Sequence, residues 1–82
     1  MEEKRVAVLS IIAEDRTASE KINTYLSEYG EYVVGRMGIP YREKGINVIS
    51  VVLDAPLSAV NALTGKLGNL SGVTAKTLFS KF

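Results

Sequence analysis

The chain has 82 residues, a formal net charge of +1, and neither cysteine nor histidine. These features predict a single domain over residues 1–82, exclude disulfides, and remove the usual zinc, copper and nickel ligands. The near-zero charge gives no general attraction to nucleic acid or to anionic membranes. A domain of this size buries only about 60% of the surface that its unfolded chain exposes. We therefore expect oligomerisation to add stability.

The first half of the chain predicts two strands and one helix. Residues 5–13 are apolar on both alternating faces, which is typical of a central strand covered on both sides. Thr17 begins a capping-box pattern, and apolar residues follow it at helical spacing. We predict the first helix over residues 18–29, with Gly30 in the left-handed position that often ends a helix. Residues 31–37 then predict a short second strand.

The second half repeats this order after a predicted loop at residues 38–45. Residues 46–53 are again apolar on both faces and predict a third strand. Asp54 is expected to cap a second helix, which has Pro near its start and a stop at Gly68. A Ser-Gly turn leads into the last predicted strand, residues 73–82, in which side chains alternate.

The order strand, helix, strand, strand, helix, strand is that of two split βαβ units. It predicts a ferredoxin-like α+β sandwich, with a four-stranded antiparallel sheet in the order 4-1-3-2 and both helices on one face. Alternation divides the first strand into two apolar sets, Val6, Val8 and Ile12 against Ala7, Leu9 and Ile11. Since the helices cover one face, the other stays exposed in a monomer. Large exposed apolar faces are unusual, so we expect a homo-oligomer, dimer or tetramer, rather than a monomer with scattered exposed valines.

Five segments carry a resemblance to a known family over nearly the whole length. They are Arg-Val-Ala-Val-Leu at 5–9, Gly-Arg-Met-Gly-Ile-Pro-Tyr at 35–41, Ser-Val-Val-Leu-Asp-Ala-Pro at 50–56, Leu-Thr-Gly-Lys-Leu-Gly at 63–68 and Ser-Gly-Val at 71–73. With them the chain resembles the small bacterial family of iron-only hydrogenase system regulators. The family name reflects an association with hydrogenase maturation genes rather than a defined molecular activity.

The resemblance implies an ACT-like fold that is also similar to the C-terminal domain of the nickel-responsive repressor. Such relatives bind small effectors at subunit interfaces. The repressor holds nickel with histidines and a cysteine, which this chain lacks, so its metal sensing does not carry over. Only residues 1–4 precede the first predicted strand, and we expect no DNA reading by an N-terminal arm of the repressor's kind.

The predicted loop and its flanks gather the candidate effector-binding residues. Arg36 and Arg42 offer planar forks for carboxylate or phosphate, and Lys44 offers a point charge. Tyr41 offers a stacking face or a hydroxyl, while Gly38 lets a ligand approach backbone amides closely. The alternative is a solvated hairpin loop whose cations pair with nearby glutamates.

Asp15 completes the candidate set. It lies in the acidic turn between the first strand and the first helix, which in ACT-like domains often borders the effector pocket. Asp15 is then a candidate partner for the amine of an amino acid. The alternative is a carboxylate that only complements the helix dipole.

The sequence contains no nucleophile–base pair or other catalytic constellation, so we expect no enzyme, metal or cofactor. A glycine–lysine pair ending at Lys66 lacks the spacing of a phosphate loop and is expected to complement the C-terminal dipole of the second helix. We predict a cytoplasmic, effector-sensing regulator acting on hydrogenase expression or assembly. Two alternatives remain: a ligand-free protein-interaction module, and weak DNA binding by a composite basic surface of the oligomer, with transcription as its output.

Overall fold

The computed structural model describes residues 3–82, apart from the side chain of Arg16. Its sheet has the strand order β2-β3-β1-β4 with antiparallel neighbours, which is the predicted order read from the opposite edge. The ferredoxin-like prediction is confirmed. The elements are β1 (Lys4–Ala13), α1 (Arg16–Glu28), β2 (Val33–Tyr41), β3 (Ile46–Pro56), α2 (Leu57–Gly68) and β4 (Val73–Phe79).

The core lies between the helices and one face of the sheet. Leu9 and Ile11 of β1, Val51 of β3, Ile22 of α1 and Leu63 of α2 are each 0% exposed. Burying one such side chain contributes about 1.5–3 kcal/mol. The apolar set Ala7, Leu9 and Ile11 therefore faces the helices.

Helix α1 begins earlier than predicted. The Asp15 carboxylate accepts a hydrogen bond from the Ala18 amide at 2.8 Å, so Asp15 is the N-cap. Thr17 lies inside the first turn, and its predicted capping role is wrong. A capping side chain reaches an amide two or three residues ahead, and Asp15 meets that spacing for a helix that begins at Arg16.

The left-handed glycines are also not where the sequence suggested. Helix α1 ends at Glu28 with Tyr29 as its cap, and Gly30 opens a short 3-10 turn. Among the described residues, positive φ angles occur at Gly45 (66°) and Gly72 (76°). The prediction of a left-handed Gly30 is wrong, because the chain continues into the 3-10 turn instead of reversing after the helix.

The predicted loop at residues 38–45 is mostly strand. β2 continues to Tyr41, which pairs with Ile46, so only a 3-10 turn (Arg42–Lys44) and Gly45 connect β2 to β3. Pro40 is tolerated because β2 is an edge strand, where a missing amide hydrogen need not break the sheet.

The third strand also extends further than predicted. β3 runs to Pro56, and Asp54 lies within it opposite Val6. Pro56, whose side chain has no hydrogen-bonding group, occupies the cap position of α2, so the predicted capping role of Asp54 is wrong. At the end of the chain, β4 stops at Phe79 rather than at residue 82.

The sheet face that points away from the helices is called the open face. Cross-strand pairing arranges it in three rows: Gly35-Val52-Val8-Leu78, Met37-Ser50-Ser10-Lys76 and Ile39-Val48-Ile12-Thr74. The outer two rows are mainly apolar, as the alternation in β1 predicts. The most exposed apolar side chains of the rows are Leu78 (72%), Met37 (62%), Ile39 (52%), Ile12 (42%) and Val48 (38%).

Candidate functional site

Two turns meet at one end of the sandwich and form a cleft of about 440 Å³. The β1–α1 turn contributes Asp15, and the β2–β3 connection contributes Tyr41, Arg42 and Gly45. Asn47, near the start of β3, also lines it. These residues meet because antiparallel pairing brings the end of β1 beside the start of β3, with Ala13 opposite Asn47.

A second cleft of about 260 Å³ lies between β2 and α1. Pro40 and Asn47 line both clefts, so the two adjoin. On β2, Arg36 pairs with the fully buried Val51, which places the Arg36 side chain on the face toward the helices. The full lining is Ser19, Asn23, Arg36, Gly38, Ile39, Pro40, Asn47 and Ile49.

Two hydrogen bonds tie this edge of the sheet to α1. Arg36 Nη2 donates to Asn23 Oδ1 at 2.9 Å, and Asn47 Nδ2 donates to Ser19 Oγ at 2.8 Å. Ser19 and Asn23 are four residues apart and lie on the same side of the helix. A guanidinium has five N–H donors. Within the described chain its other donors make no hydrogen bond.

The structure divides the predicted site residues among three places. Asp15, Tyr41 and Arg42 line the larger cleft, and Arg36 and Gly38 line the smaller one. Lys44 lies on the 3-10 turn, is exposed, and lines neither cleft.

The sequence interpretation missed Ser19, Asn23 and Asn47 as site residues. Asn47 did carry a signal, since it is a polar residue in an otherwise apolar strand. Ser19 and Asn23 had none, because polar residues on an amphipathic helix usually face water.

The predicted cations are not neutralised by neighbouring glutamates. Tyr41 Oη donates a hydrogen bond to Glu43 Oε2 at 3.2 Å, so the glutamate of the β2–β3 connection is bonded to a tyrosine rather than to a cation. In residues 3–82, with the Arg16 side chain set aside, no ion pair involves Arg36, Arg42 or Lys44. The arrangement therefore presents positive charge to solvent at the mouth of the clefts.

Lys66 belongs to a separate cluster at the C-terminal ends of the helices. Its Nζ lies 3.4 Å from Glu28 Oε2 and 5.5 and 5.4 Å from the ring centroids of Tyr25 and Tyr29. The hydrogen bond to Glu28, helped by Tyr29 and by the Glu28 charge, raises the pKa of Lys66. Lys66 is in the last turn of α2, as its expected dipole role requires, and joins the two helices.

Two structural features are absent from the part of the chain that the structure describes. No three potential metal ligands cluster there. No helix in that part is both long and apolar enough to cross a bilayer.

The fold is that of an ACT domain. The ACT domain from GTP pyrophosphokinase of Chlorobium tepidum superposes with a TM-score of 0.78 at 19% identity, covering 92% of this chain and 99% of that one. The C-terminal domain of the MgtC protein from Mycobacterium tuberculosis gives 0.71 at 12% identity, covering 99% and 93%. At these identities the likeness concerns the fold alone.

Residues 5–77 match the family described as "TM1266-like: Iron-only hydrogenase system regulator, putative". The uncharacterized protein TM1266 from Thermotoga maritima is 40% identical, with a TM-score of 0.93 over 96% of this chain and 100% of that chain. The chain therefore belongs to the TM1266-like family. No curated protein sequence gives a significant match.

Proposed function

We propose that this protein is a regulator that senses a small anionic or amino-acid effector in the two adjoining clefts, one between the β1–α1 turn and the β2–β3 connection and one between β2 and α1. The observation that carries the proposal is Arg36, whose guanidinium is oriented by Asn23 while most of its donors stay open. An oriented guanidinium recognises carboxylate and phosphate groups well, because less conformational entropy is lost when they bind. The family and the ACT fold support a regulatory role.

The charges along the clefts define the kind of effector. Arg36 and Arg42 take its anionic group, and Gly38 lets that group approach the backbone of β2. Asp15 lines the larger cleft together with Arg42, and its carboxylate is a partner for an amine. Tyr41 offers a ring face between them. Lys44 contributes long-range attraction rather than contact, since it lines neither cleft.

The effector site is completed by another subunit in this proposal. β2 is an edge strand, so the clefts open at the margin of the sheet. Most residues that line them are exposed in the single chain. Binding at a subunit interface would exclude water from the Arg36 guanidinium and strengthen its interaction with an anion.

A thermal-shift screen tests the proposal. The panel contains amino acids, nucleotides, phosphorylated metabolites and S-adenosylmethionine. A ligand of the folded state at about 100 times its Kd adds roughly 2.7 kcal/mol of stability, which is several degrees for a domain of this size. We expect one chemical class with an anionic group to raise the Tm.

Site variants then locate the binding. Arg36→Ala and Arg42→Ala should each weaken the hit about tenfold to a hundredfold, because a hydrogen bond to a charged group is worth about 1.5–3 kcal/mol. Arg5→Ala is the matched control, since Arg5 is exposed at the opposite end of β1. An affinity that is unchanged in both cleft variants would reject this site.

A ligand-free protein-interaction module is the second candidate function, and the apolar open face is the observation that favours it. It predicts no thermal shift with any compound of the panel. DNA binding by a composite basic surface would instead show steep salt dependence. DNA binding has less support, because a net charge of +1 gives little general attraction to a phosphate backbone.

A further inference from the structure

The open face is too broad for one helix and matches the width of a second sheet. Four strands spaced about 4.8 Å apart span roughly 19 Å. A helix with its side chains is only about 10–12 Å wide, so a single amphipathic helix would leave nearly half of the face in water. A second copy of the same sheet covers all of it. The net charge of +1 causes little repulsion between two copies.

The area also favours a partner that uses the whole face. Seven residues of β4 at about 3.4 Å each, across roughly 19 Å, give a footprint on the order of 450 Å² per copy. Two copies contribute about 900 Å², close to the lower limit of about 1,000–1,200 Å² for a specific interface. Face-to-face contact therefore requires all three rows.

We propose that a second copy of this chain covers the open face, related by a twofold axis that runs parallel to the strands between β1 and β3. Two stacked sheets pack about 10 Å apart with their strands roughly aligned. This axis places β4 of one copy over β2 of the other, and β1 over β3.

The row pattern is self-complementary about this axis. Leu78, the most exposed apolar side chain of the rows, lies over Gly35 of the partner subunit, which has no side chain and no heavy atom within 4 Å of its Cβ position. Val8 lies over Val52 of the partner subunit, and Ile12 over Val48 of the partner subunit. Ser10 faces Ser50 of the partner subunit, and at a sheet separation of about 10 Å a bridging water joins the two hydroxyls.

Charge selects this axis over the other twofold arrangement. An axis perpendicular to the strands would stack the middle row on itself and bring Lys76 over Lys76 of the partner subunit. The axis parallel to the strands places Lys76 over Met37 of the partner subunit and keeps the two ammonium groups at opposite edges. The proposal does not depend on an effector.

The first test is the mass in solution. Multi-angle light scattering at micromolar concentration should give a multiple of the monomer mass of 8.9 kDa. Leu78→Lys and Met37→Lys should each reduce the mass to that of a smaller assembly. Circular dichroism should show an intact fold for both variants, because both side chains are exposed in the single chain. Leu57→Lys is the matched control: Leu57 is 41% exposed but lies on α2, and its variant should keep the wild-type mass.

A monomeric wild type would overturn the proposal. So would open-face variants that keep the wild-type mass, since assembly would then use another surface.

The second test determines the direction of the twofold axis. The chain has no cysteine, so Gly35→Cys and Leu78→Cys can be prepared separately, mixed, and treated with a short bismaleimide.

The mixture should cross-link into dimers that contain one copy of each variant, while each variant alone should not. Efficient cross-linking of Leu78→Cys with Thr74→Cys instead would contradict the proposed axis, because that pair meets only about the perpendicular axis.

Discussion

Asp15 has two roles that meet in one carboxylate. Asp15 Oδ1 accepts a hydrogen bond from the Ala18 amide and thereby caps α1. Asp15 also lines the larger cleft. Gly72, in its left-handed conformation, passes close to the same carboxylate, and a Cβ at that position would lie 3.4 Å from Oδ2. The cap therefore fixes a negative charge at the cleft, and a substitution at Asp15 must be chosen to separate the two roles.

Asp15→Ala should reduce the free energy of unfolding by about 1 kcal/mol, the usual cost of losing a cap. Urea denaturation measures this. Thr17→Ala is the control and should change little, because Thr17 does not cap the helix. Asp15→Asn should keep most of the stability, since Asn is an equally good cap, and yet weaken an effector with an amine. A larger loss from Thr17→Ala than from Asp15→Ala would contradict the assigned cap.

Glu28→Gln should lower the pKa of Lys66 toward its ordinary value, because the hydrogen bond from Lys66 is the main cause of the raised pKa. An NMR titration of the lysine side chains measures the change. The folded state favours protonated Lys66, so the associated stability is present below pH 10.5 and is lost as the pH rises through the raised pKa. Glu43→Gln is the control, because Glu43 accepts from Tyr41 and does not contact Lys66, and it should leave the Lys66 titration as in the wild type.

At the scale of elements, β2 decides where the site lies. The sequence predicted a loop at residues 38–45 because Gly and Pro usually interrupt strands, yet an edge strand tolerates both. Local pattern alone does not show that β2 is an edge. By contrast, both faces of β1 and the strand order followed from alternation and connectivity, which are read directly from the chain.

The site was likewise predicted only in part, because local sequence pattern does not reveal tertiary contacts. Tyr41 and Arg42 were predicted from the chemistry of the basic loop, and Asp15 from what the resemblance to ACT-like domains implies; the structure brings all three to one cleft. Ser19 and Asn23 were not predicted, because their hydrogen bonds to the sheet depend on how the β2 edge of the sheet lies beside α1. That placement is a tertiary feature, and helical spacing carries no information about it.

The left-handed conformation of Gly45, in the connection after β2, leads to a prediction about stability. Gly45→Ala should destabilise the protein by about 1–2 kcal/mol, because Gly45 has a φ of 66° that an L-residue adopts poorly. Gly30→Ala is the matched control. Gly30 does not have a positive φ, and nothing lies within 4 Å of its Cβ position, so this change should be neutral or slightly stabilising. Thermal denaturation compares the two variants, and equal losses would contradict the placement of the left-handed residue.

At the scale of the whole molecule, the clefts and the open face share residues. Tyr41 and Ile46 line the larger cleft and pair with each other on the open side of the sheet. Ile39 lines the smaller cleft and belongs to an open-face row. Binding in the clefts and association through the open face should therefore affect each other, and thermodynamic linkage requires the coupling to be reciprocal.

A compound that raises the Tm should also tighten self-association. Sedimentation velocity over a dilution series, with and without the compound, measures the change in the dissociation constant of the assembly. Leu78→Lys should bind the same compound more weakly, although Leu78 lines neither cleft. An unchanged association constant together with unchanged binding by Leu78→Lys would show that the two surfaces act independently.

Effector sensing in the two adjoining clefts is tested most directly by locating the bound compound. The measurement is an amide NMR titration of isotope-labelled protein with the compound that gives the largest thermal shift. We predict chemical-shift changes concentrated at Asp15, at residues 36–45 and at Asn47. Changes confined to the opposite end of the molecule, near Arg5, Leu57 and Asn61, would contradict effector sensing in these clefts.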